Sequence, residues 1–432
     1  MELREGYKQT EIGVIPEDWD VIKLGDITSY TKGFAFKSAD YTKDGVRIIR
    51  VSDTLFDKIT NKTPVFIDSS KVNEFKKWSL YTNDLILSTV GSKPPMYDSM
   101  VGNVVRVTNK HCGSLLNQNA VFLRVKKEYS QVYLYYCFKR EEYIEHIEKI
   151  YRGNANQASI TLVELFKYEI PLPPTLEEQK AIATALSDVD HLITNLNDLI
   201  AKKKAIKQGA MQRLLTPPHL GGKRLSGFDG EWVEKSLGAL CLLITKGTTP
   251  TSIGMNFTDE GVNFIKAESI SKVGLIIPDK VAHINVDTHD LLSRSKMQEN
   301  DVLFTIAGVL GRIGIITKDI LPANTNQAVA IIRLKKDYNN HTRFIFHYLR
   351  TNFIAKHIEA ISVQGAQANF SLTDLNNLPM VIPNSMVEQE AIANVLTDID
   401  KELEELETKK QKYQDIKQGM MQELLTGKTR LV

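Results

Sequence analysis

Two glycine-containing runs of the chain carry part of a phosphate-binding pattern. Residues 427–429 read Gly-Lys-Thr, the end of the loop in which backbone amides and a lysine hold nucleotide phosphates. That loop requires a glycine five positions earlier, where this chain has Gln422. Gly308, Gly311 and Gly314 lack the spacing of a dinucleotide-binding turn, so we interpret them as turn and packing glycines. These runs therefore indicate no nucleotide site.

Two further runs contain fragments of catalytic motifs. Residues 93–97, Lys-Pro-Pro-Met-Tyr, are built like the loop that holds the target amine in amino-methyltransferases, but Lys93 replaces the hydrogen-bond acceptor for that amine. Residues 407–409, Glu-Thr-Lys, form a nuclease-type pattern inside a predicted helix, without the Pro-Asp strand that would complete a metal site. His146 and His357 have no Asp, Ser or Cys partner that the sequence identifies. We therefore predict a non-enzymatic chain with no catalytic residue and no metal ligand.

Composition and charge narrow the function classes. The 54 Lys and Arg residues nearly balance the 52 Asp and Glu residues, so a role on nucleic acid requires local basic patches or a partner. Cys112, Cys137 and Cys241 are isolated, which argues against a disulfide framework and a zinc site and predicts packing roles. There is no run of 18 apolar residues and no signal-like N-terminus, so we expect a cytoplasmic protein.

An internal repeat organises the chain. Residues 178–216 align with residues 388–426 without a gap, and 19 of the 39 aligned positions are identical. Each copy begins with a helix-capping pattern, Thr175 in the first and Ser385 in the second, each followed three residues later by glutamate. A helix of this length spans about 58 Å at 1.5 Å per residue. Each copy is thus predicted to be a long rod and not a core helix.

Apolar residues in both copies recur with the alternating spacing of four and three that is typical of a coiled-coil seam. Each rod therefore needs a partner helix, and the simplest arrangement pairs the two rods with each other, antiparallel. Lys203, Lys207 and Lys410 interrupt the pattern, so the contact either loosens there or presents these lysines to a partner subunit. The predicted seam consists of Ile182, Leu186, Val189, Ile193, Leu196, Ile392, Leu396, Ile399, Leu403 and Leu406.

The segments before the two rods are weaker copies of each other. Each contains Asn-Asp followed by an apolar run, at residues 83–87 and 300–304, and an aromatic-rich helical stretch, near residues 133–149 and 344–361. We predict an α+β fold with two similar α+β domains, separated by two long helices packed as an antiparallel coiled coil with pseudo-twofold symmetry. The predicted segments are 1–174 (first domain), 175–216 (first long helix), 217–384 (second domain) and 385–432 (second long helix and tail).

The motifs at the rod ends occur in duplicate. They are the proline-rich segments that lead to Glu178-Gln179 and Glu388-Gln389, the exits with Lys-Gln-Gly and Leu-Leu-Thr at 207–216 and 417–426, and the opening from Trp232 to Leu237-Gly238. In these motifs the chain is similar to the specificity (S) subunit of type I restriction-modification systems. The resemblance covers essentially the whole chain.

The resemblance implies a DNA-binding subunit without an active site of its own. The two domains would be target recognition domains, each reading one half of a bipartite DNA sequence. The long helices would set the spacer between the halves and dock two methyltransferase (M) subunits. By the same resemblance, S-adenosylmethionine belongs to the M subunits, which methylate adenine, and ATP and Mg belong to restriction (R) subunits.

Loops that combine Gly with Arg, Lys, Asn or Gln are the best candidates for DNA contacts, because these side chains bind base edges and phosphates. The alternative for each is a polar loop that only closes a domain. The candidates are Lys32, Lys93, Arg152, Asn154, Asn156 and Gln157 in the first domain and Lys246, Gln364, Gln367 and Asn369 in the second.

A different class of protein stays open as an alternative: a non-enzymatic scaffold whose coiled coil joins two protein-binding modules. The near-neutral charge favours this alternative slightly. The duplicated motifs favour the specificity subunit more strongly. Co-purification with a methyltransferase subunit would distinguish the two classes.

Overall fold

The computed structural model describes residues 5–55, 57–94, 96, 99–154, 157–362 and 370–431. The chain divides into two compact units, which we call unit 1 (Met1–Leu196 with Lys409–Val432) and unit 2 (Asn197–Thr408). Each unit combines one α+β domain with parts of both long helices. Among the helices described, none is long and apolar enough to cross a membrane.

Unit 1 consists of short strands, short helices and the first half of a long helix. Its helices are α1 (Leu24–Ile27), α2 (Gln131–Cys137), α3 (Glu141–Ile150), α4 (Leu162–Leu165) and the start of α5 (Leu176–Leu214). Its strands are β1 (Tyr7–Thr10), β2 (Gly13–Pro16), β3 (Asp20–Lys23), β4 (Thr28–Lys32), β5 (Tyr41–Thr42), β6 (Val46–Ile49), β7 (Thr54–Leu55), β8 (Lys58–Ile59), β9 (Val65–Ile67), β10 (Leu85–Ser88), β11 (Val90–Gly91), β12 (Val104–Arg106), β13 (Leu115–Leu116), β14 (Ala120–Val125), β15 (Arg152–Asn154), β16 (Gln157–Ser159) and β17 (Glu169–Leu172).

The central sheet of unit 1 is antiparallel and has the strand order β12-β10-β14-β4. A second sheet has the order β13-β6-β9-β5, with β13 parallel to β6, and a third has the order β11-β16-β15. Side chains alternate along a strand, so Leu85 and Leu87 of β10 lie in the main core, whereas Ile86 lies in a second cluster on the other face. Burial on both faces explains why residues 85–87 of β10 are an uninterrupted apolar run in the sequence.

Unit 2 repeats this plan. Its helices are α6 (Leu237–Leu240), α7 (Val286–Leu291), α8 (Thr342–Leu349), α9 (Asn352–Ser362), α10 (Leu372–Asn376) and the start of α11 (Met386–Leu424). Its strands are β18 (Trp232–Ser236), β19 (Cys241–Lys246), β20 (Val262–Ile265), β21 (Ala282–Ile284), β22 (Val302–Thr305), β23 (Ile313–Ile315), β24 (Ala323–Thr325), β25 (Val329–Leu334) and β26 (Pro379–Pro383). Its main sheet has the order β19-β25-β22-β23, and its second sheet has the order β21-β20-β24, with β24 parallel to β20.

The aromatic-rich stretch of each unit forms two helices where the sequence predicted one. In unit 1 the turn between α2 and α3 contains Phe138 and Arg140, which are both buried. The turn allows Leu134 of α2 and Ile147 of α3 to reach the same core. In unit 2 the stretch divides in the same way into α8 and α9.

An ion pair between an arginine and a buried aspartate occurs at the same place of the main sheet in both units. Arg124 donates two hydrogen bonds to Asp84 over 2.7 and 2.6 Å, and Arg333 donates two to Asp301 over 2.8 and 2.7 Å. The asparagine before each aspartate has a positive φ, 71° and 68°, which asparagine tolerates better than most residues. The Asn-Asp pairs of the repeat therefore have a structural role: the asparagine forms the turn and the aspartate binds the arginine.

The long helices pair antiparallel in each unit. In unit 1 the first half of α5 faces the last turns of α11, where Asp190 lies 2.6 Å from Lys417. In unit 2 the last half of α5 faces the first half of α11, where Lys204 lies 2.9 Å from Glu407. The predicted antiparallel pairing is confirmed. The lysines that interrupt the apolar pattern of α5 are engaged in this contact: Lys203 pairs with Glu402 and Lys207 with Asp400.

The predicted seam residues differ in burial along the helices. Ile182, Leu186, Ile392 and Leu396 are buried inside the main core of their unit, so the first turns of each long helix are part of a domain core. Further along the helices, Val189 and Leu196 are buried and Ile193, Ile399, Leu403 and Leu406 are half-buried.

Candidate nucleic-acid interface

The loop after β4 in unit 1 is held against the loop before β14. The Gly33 amide donates to the carbonyl of Ala120, and the Gln118 amide donates to the carbonyl of Phe34, each over 2.9 Å. A Cβ on Gly33 would lie 1.8 Å from the carbonyl oxygen of Asn117, so only glycine fits there. The contact places Lys32, at the end of β4, close to the loop of Gln118, and both side chains are exposed.

A second set of hydrogen bonds joins this corner to the hairpin of β15 and β16. Thr89 donates to the carbonyl of Asn119 from its amide, over 3.0 Å, and from its hydroxyl, over 2.9 Å. The amide of Ile160, just after β16, donates to the Thr89 carbonyl over 3.1 Å. Strand β11 then pairs with β16, opposite Ser159 and Ala158. The loops after β4 and before β14 and the β15–β16 hairpin therefore form one continuous surface.

The hairpin carries three of the predicted DNA contacts. Arg152, Asn154 and Gln157 are exposed. Gly153 has a φ of 107°, and a Cβ there would lie 2.3 Å from the Gln157 carbonyl oxygen, so the tight pairing of β15 and β16 requires glycine. Lys93 follows β11 and is also exposed. Lys32, Lys93, Arg152, Asn154 and Gln157 thus lie on segments that these hydrogen bonds connect, and Asn156 lies outside the described residues.

Unit 2 builds the same corner from its own residues. The Gly247 amide donates to the Asn326 carbonyl over 3.1 Å, and a Cβ on Gly247 would lie 1.7 Å from the Thr325 carbonyl oxygen. The Thr249 hydroxyl lies 2.5 Å from Oε1 of Gln327, whose side chain is exposed. Lys246, at the end of β19, is half-buried beside this loop. The remaining predicted contacts of this unit, Gln364, Gln367 and Asn369, lie outside the described residues.

The sequence analysis did not identify three residues of these surfaces as candidate DNA contacts. They are Gln118 in unit 1 and Gln327 and Arg294 in unit 2. The two glutamines stand at matching places in the repeat, and that pairing was the available signal. Arg294 lies on the turn after α7, and its guanidinium is 3.3 Å from the Thr248 hydroxyl. No sequence pattern connects Arg294 to residue 248, because the contact joins loops that are 46 residues apart.

Several reactive side chains lie outside this surface, and their burial, hydrogen bonds or ion pairs point to structural roles. His146 is half-buried with its Nε2 3.2 Å from the carbonyl oxygen of Glu164, and burial lowers its pKa. Burial raises the pKa of the Cys137 and Cys241 thiols to about 12, which leaves them protonated and unreactive. Cys112 is exposed, so the predicted packing role is wrong for that residue. Glu407 of the nuclease-type run is occupied by its ion pair with Lys204.

The chain matches a family model for the type I restriction modification DNA specificity domain twice, over residues 16–207 and 229–418. The chain belongs to this family. Each match takes in one α+β domain and most of the long helix that follows, which is the repeat unit found in the sequence. The specificity-domain family accounts for both halves of the chain.

Individual members of the specificity-domain family resemble the chain over most of its length. The type I restriction enzyme MjaX specificity subunit described for Methanocaldococcus jannaschii is 29% identical, with 99% of this chain and 97% of that protein covered. The EcoBI specificity subunit of Escherichia coli is 26% identical, over 88% of this chain and 79% of that protein.

Solved structures show the same fold. The crystal structure of the S subunit of a type I restriction-modification system from M. genitalium has a TM-score of 0.64 at 16% identity, with 98% of each chain covered. A chain from a structural study of type I system assembly has a TM-score of 0.53 at 16% identity, with 96% of this chain and 99% of that chain covered.

Proposed function

We propose that this chain is the specificity subunit of a type I restriction-modification complex, without an active site of its own, and that each unit reads one half of a bipartite DNA target. The observation that carries the proposal is the duplicated surface. Both units present a Lys-Gly loop against an Asn-Gln loop at equivalent strand ends, while the side chains around these loops differ. A shared scaffold with different surface residues suits the recognition of two different half-sequences.

The similarity to restriction-enzyme subunits is the basis on which we propose partners for this chain. We assign this chain double-stranded DNA, two M subunits and R subunits, with the long helices docking the M subunits and setting the spacer. In this assignment S-adenosylmethionine is bound by the M subunits, and ATP and Mg by the R subunits. This chain offers no metal site of its own across the part that the structure describes, where no group of three or more His, Cys, Asp or Glu side chains could hold an ion.

Charge argues that recognition needs the assembled complex. The net charge of +2 means that few counterions are released when the chain alone meets DNA, so its binding at physiological salt should be weak. The M partners would add phosphate contacts, while the loops of this chain add sequence preference. The scaffold alternative predicts instead that no sequence-specific DNA binding appears with any partner.

Co-purification from the native cell tests the proposal. We expect a methyltransferase subunit to come with the chain, and the complex to bind one bipartite sequence much more tightly than the isolated chain does. In the complex, Lys32→Ala with Gln118→Ala, or Lys246→Ala with Gln327→Ala, should weaken that sequence preference. The matched control for these variants is Lys127→Ala with Lys336→Ala, because both lysines are exposed and follow β14 and β25 at the end opposite Gln118 and Gln327. Absence of a methyltransferase subunit, or equal binding of all DNA sequences by the complex, would overturn the proposal.

A further inference from the structure

A shallow cleft of about 160 Å³ lies in unit 2 beside the Lys-Gly loop. Gly247, Thr248 and Arg294 line one side, and Ile253 and Leu291 give it apolar walls. Leu291 is 65% exposed and Ile253 is 43% exposed. Neither of these two side chains belongs to a core cluster among the described residues of unit 2. Two large apolar side chains are thus exposed to solvent next to the candidate interface.

Rigid backbone holds both walls in place. Leu291 is the last residue of α7, and its neighbour Leu292 is buried in the cluster of Phe264 and Ile284. The Leu292 carbonyl accepts a hydrogen bond from the Asn324 side chain over 3.1 Å. Ile253 ends a 3-10 turn that begins at a proline and closes on a glycine with a φ of 76°. The cleft is therefore preformed.

Unit 1 is different at the matching position. Phe34 stands where unit 2 has Thr248, and its ring centroid lies 5.1 Å from that of Phe75 and 4.5 Å from that of Trp78. An aromatic cluster therefore takes up the space next to Gly33. The small threonine leaves the equivalent space open next to Gly247.

The rim of the cleft suits DNA. Arg294, which lines the cleft, supplies positive charge, and Thr248 supplies a hydroxyl. The nearby carboxylate of Asp290 is neutralised by Lys296, which lies 2.6 Å away. Apolar walls beside an arginine match the edge of a base pair that carries a methyl group, and in the major groove thymine alone among the four standard bases presents one.

We propose that this cleft binds the 5-methyl group of a thymine in the half-target read by unit 2, with Leu291 and Ile253 packed against the methyl and Arg294 directed at a neighbouring acceptor on the DNA. A methyl group is close in size to a water molecule, which occupies about 30 Å³ in the liquid, so the cleft also has room for the ring edge that carries it. This inference rests on the proposed function.

Replacing thymine by deoxyuridine, one position at a time, tests the inference. The complex with the methyltransferase partner is used, and the half-target is the one whose recognition depends on Lys246 and Gln327. We expect one position at which the loss of the methyl group weakens binding about fourfold. Leu291→Ala should weaken binding to the thymine target and bring the ratio of the two affinities at that position close to one. Leu242→Ala, at an equally exposed leucine on β19, should leave the ratio unchanged.

Three outcomes would overturn the cleft assignment: a half-target without thymine on either strand, no effect of deoxyuridine at any position, or a ratio that Leu291→Ala does not change. Leu291→Ala could also weaken assembly with the methyltransferase while the ratio of thymine to deoxyuridine affinities stays unchanged. That result would assign the cleft to a protein contact and contradict the inference. The proposed function fails separately, if Lys246→Ala with Gln327→Ala alters neither half of the target.

Discussion

Lys417 of α11 binds Asp190 of α5 over 2.6 Å, and the repeat places the reciprocal pair, Lys207 with Asp400, in unit 2. Helix α5 therefore contributes Asp190 to the ion pair of unit 1 and Lys207 to that of unit 2. Helix α11 contributes Lys417 to the pair of unit 1 and Asp400 to that of unit 2. Asp190 also accepts a hydrogen bond from the Tyr136 hydroxyl over 2.7 Å, which ties the helix pair to the α+β domain of unit 1. The ion pair thus joins three elements of that unit.

Asp190→Asn should lower the free energy of unfolding of unit 1 by about 1 to 3 kcal/mol, because it leaves Lys417 without its partner in a partly buried position. Lys417→Gln in the same chain should recover part of the loss. Asp188→Asn, at an exposed aspartate two residues away, is the control and should have no effect. Thermal unfolding of the variants measures the difference, and equal melting temperatures for Asp190→Asn and the parent would refute the role of the pair.

Leu186→Glu should unfold unit 1 as a whole and not only separate the helices. Leu186 is fully buried in the core that contains Trp19 and Tyr133, and an unpaired carboxylate there costs several kcal/mol. Leu192→Glu, at an exposed leucine on the same helix, is the matched control. Circular dichroism should show loss of one folding unit for Leu186→Glu alone. A native spectrum for that variant would contradict the placement of Leu186 in the domain core.

A half-chain that ends at Leu225 should form a symmetric dimer. In unit 1 the core includes Leu424 and Leu425, and Arg430 pairs with Glu178. The repeat equivalents of these residues, Leu214, Leu215 and Arg224, remain in the half-chain, so a second copy can supply them. Sedimentation should show a dimer, and Leu214→Glu with Leu215→Glu should abolish it. A half-chain that stays monomeric at every concentration would rule out this exchange.

Acid should destabilise unit 2 through His347. Burial lowers the pKa of this histidine to about 3, below its ordinary value of 6.5. The unfolded chain then binds the proton more readily, so the stability that is present above about pH 6.5 is lost as the pH falls, by about 1.4 kcal/mol per pH unit. His347→Gln should flatten the stability curve of unit 2 between pH 6 and 4, and His219→Gln, at an exposed site, should not. Parallel curves for His347→Gln and the parent would show that His347 does not carry the effect.

Local patterns predicted the helices and the repeat, because spacing and capping act within a few residues. The capping hydroxyls of Thr175 and Ser385 do accept hydrogen bonds from the amides three residues later, over 3.2 and 3.4 Å. The α+β class and the antiparallel pairing of the rods followed from the same duplicated patterns.

The arrangement of the candidate surface could not be predicted from the sequence. Lys32 and Gln118 come together only because β4 and β14 are neighbours in a sheet whose order is not sequential. The Asp84–Arg124 pair likewise joins residues 40 positions apart. Such contacts depend on the strand order of the sheet, which no local pattern contains.

Genome-wide mapping of methylated sites tests most directly the central claim, that the two units read different halves of one DNA target. The variants are Lys32→Ala with Gln118→Ala in unit 1 and Lys246→Ala with Gln327→Ala in unit 2, compared with the Lys127→Ala and Lys336→Ala control. We predict that the first variant relaxes or loses one half of the target, that the second does the same to the other half, and that the control leaves both unchanged. A variant of one unit that alters both halves, or two variants that alter the same half, would contradict the account.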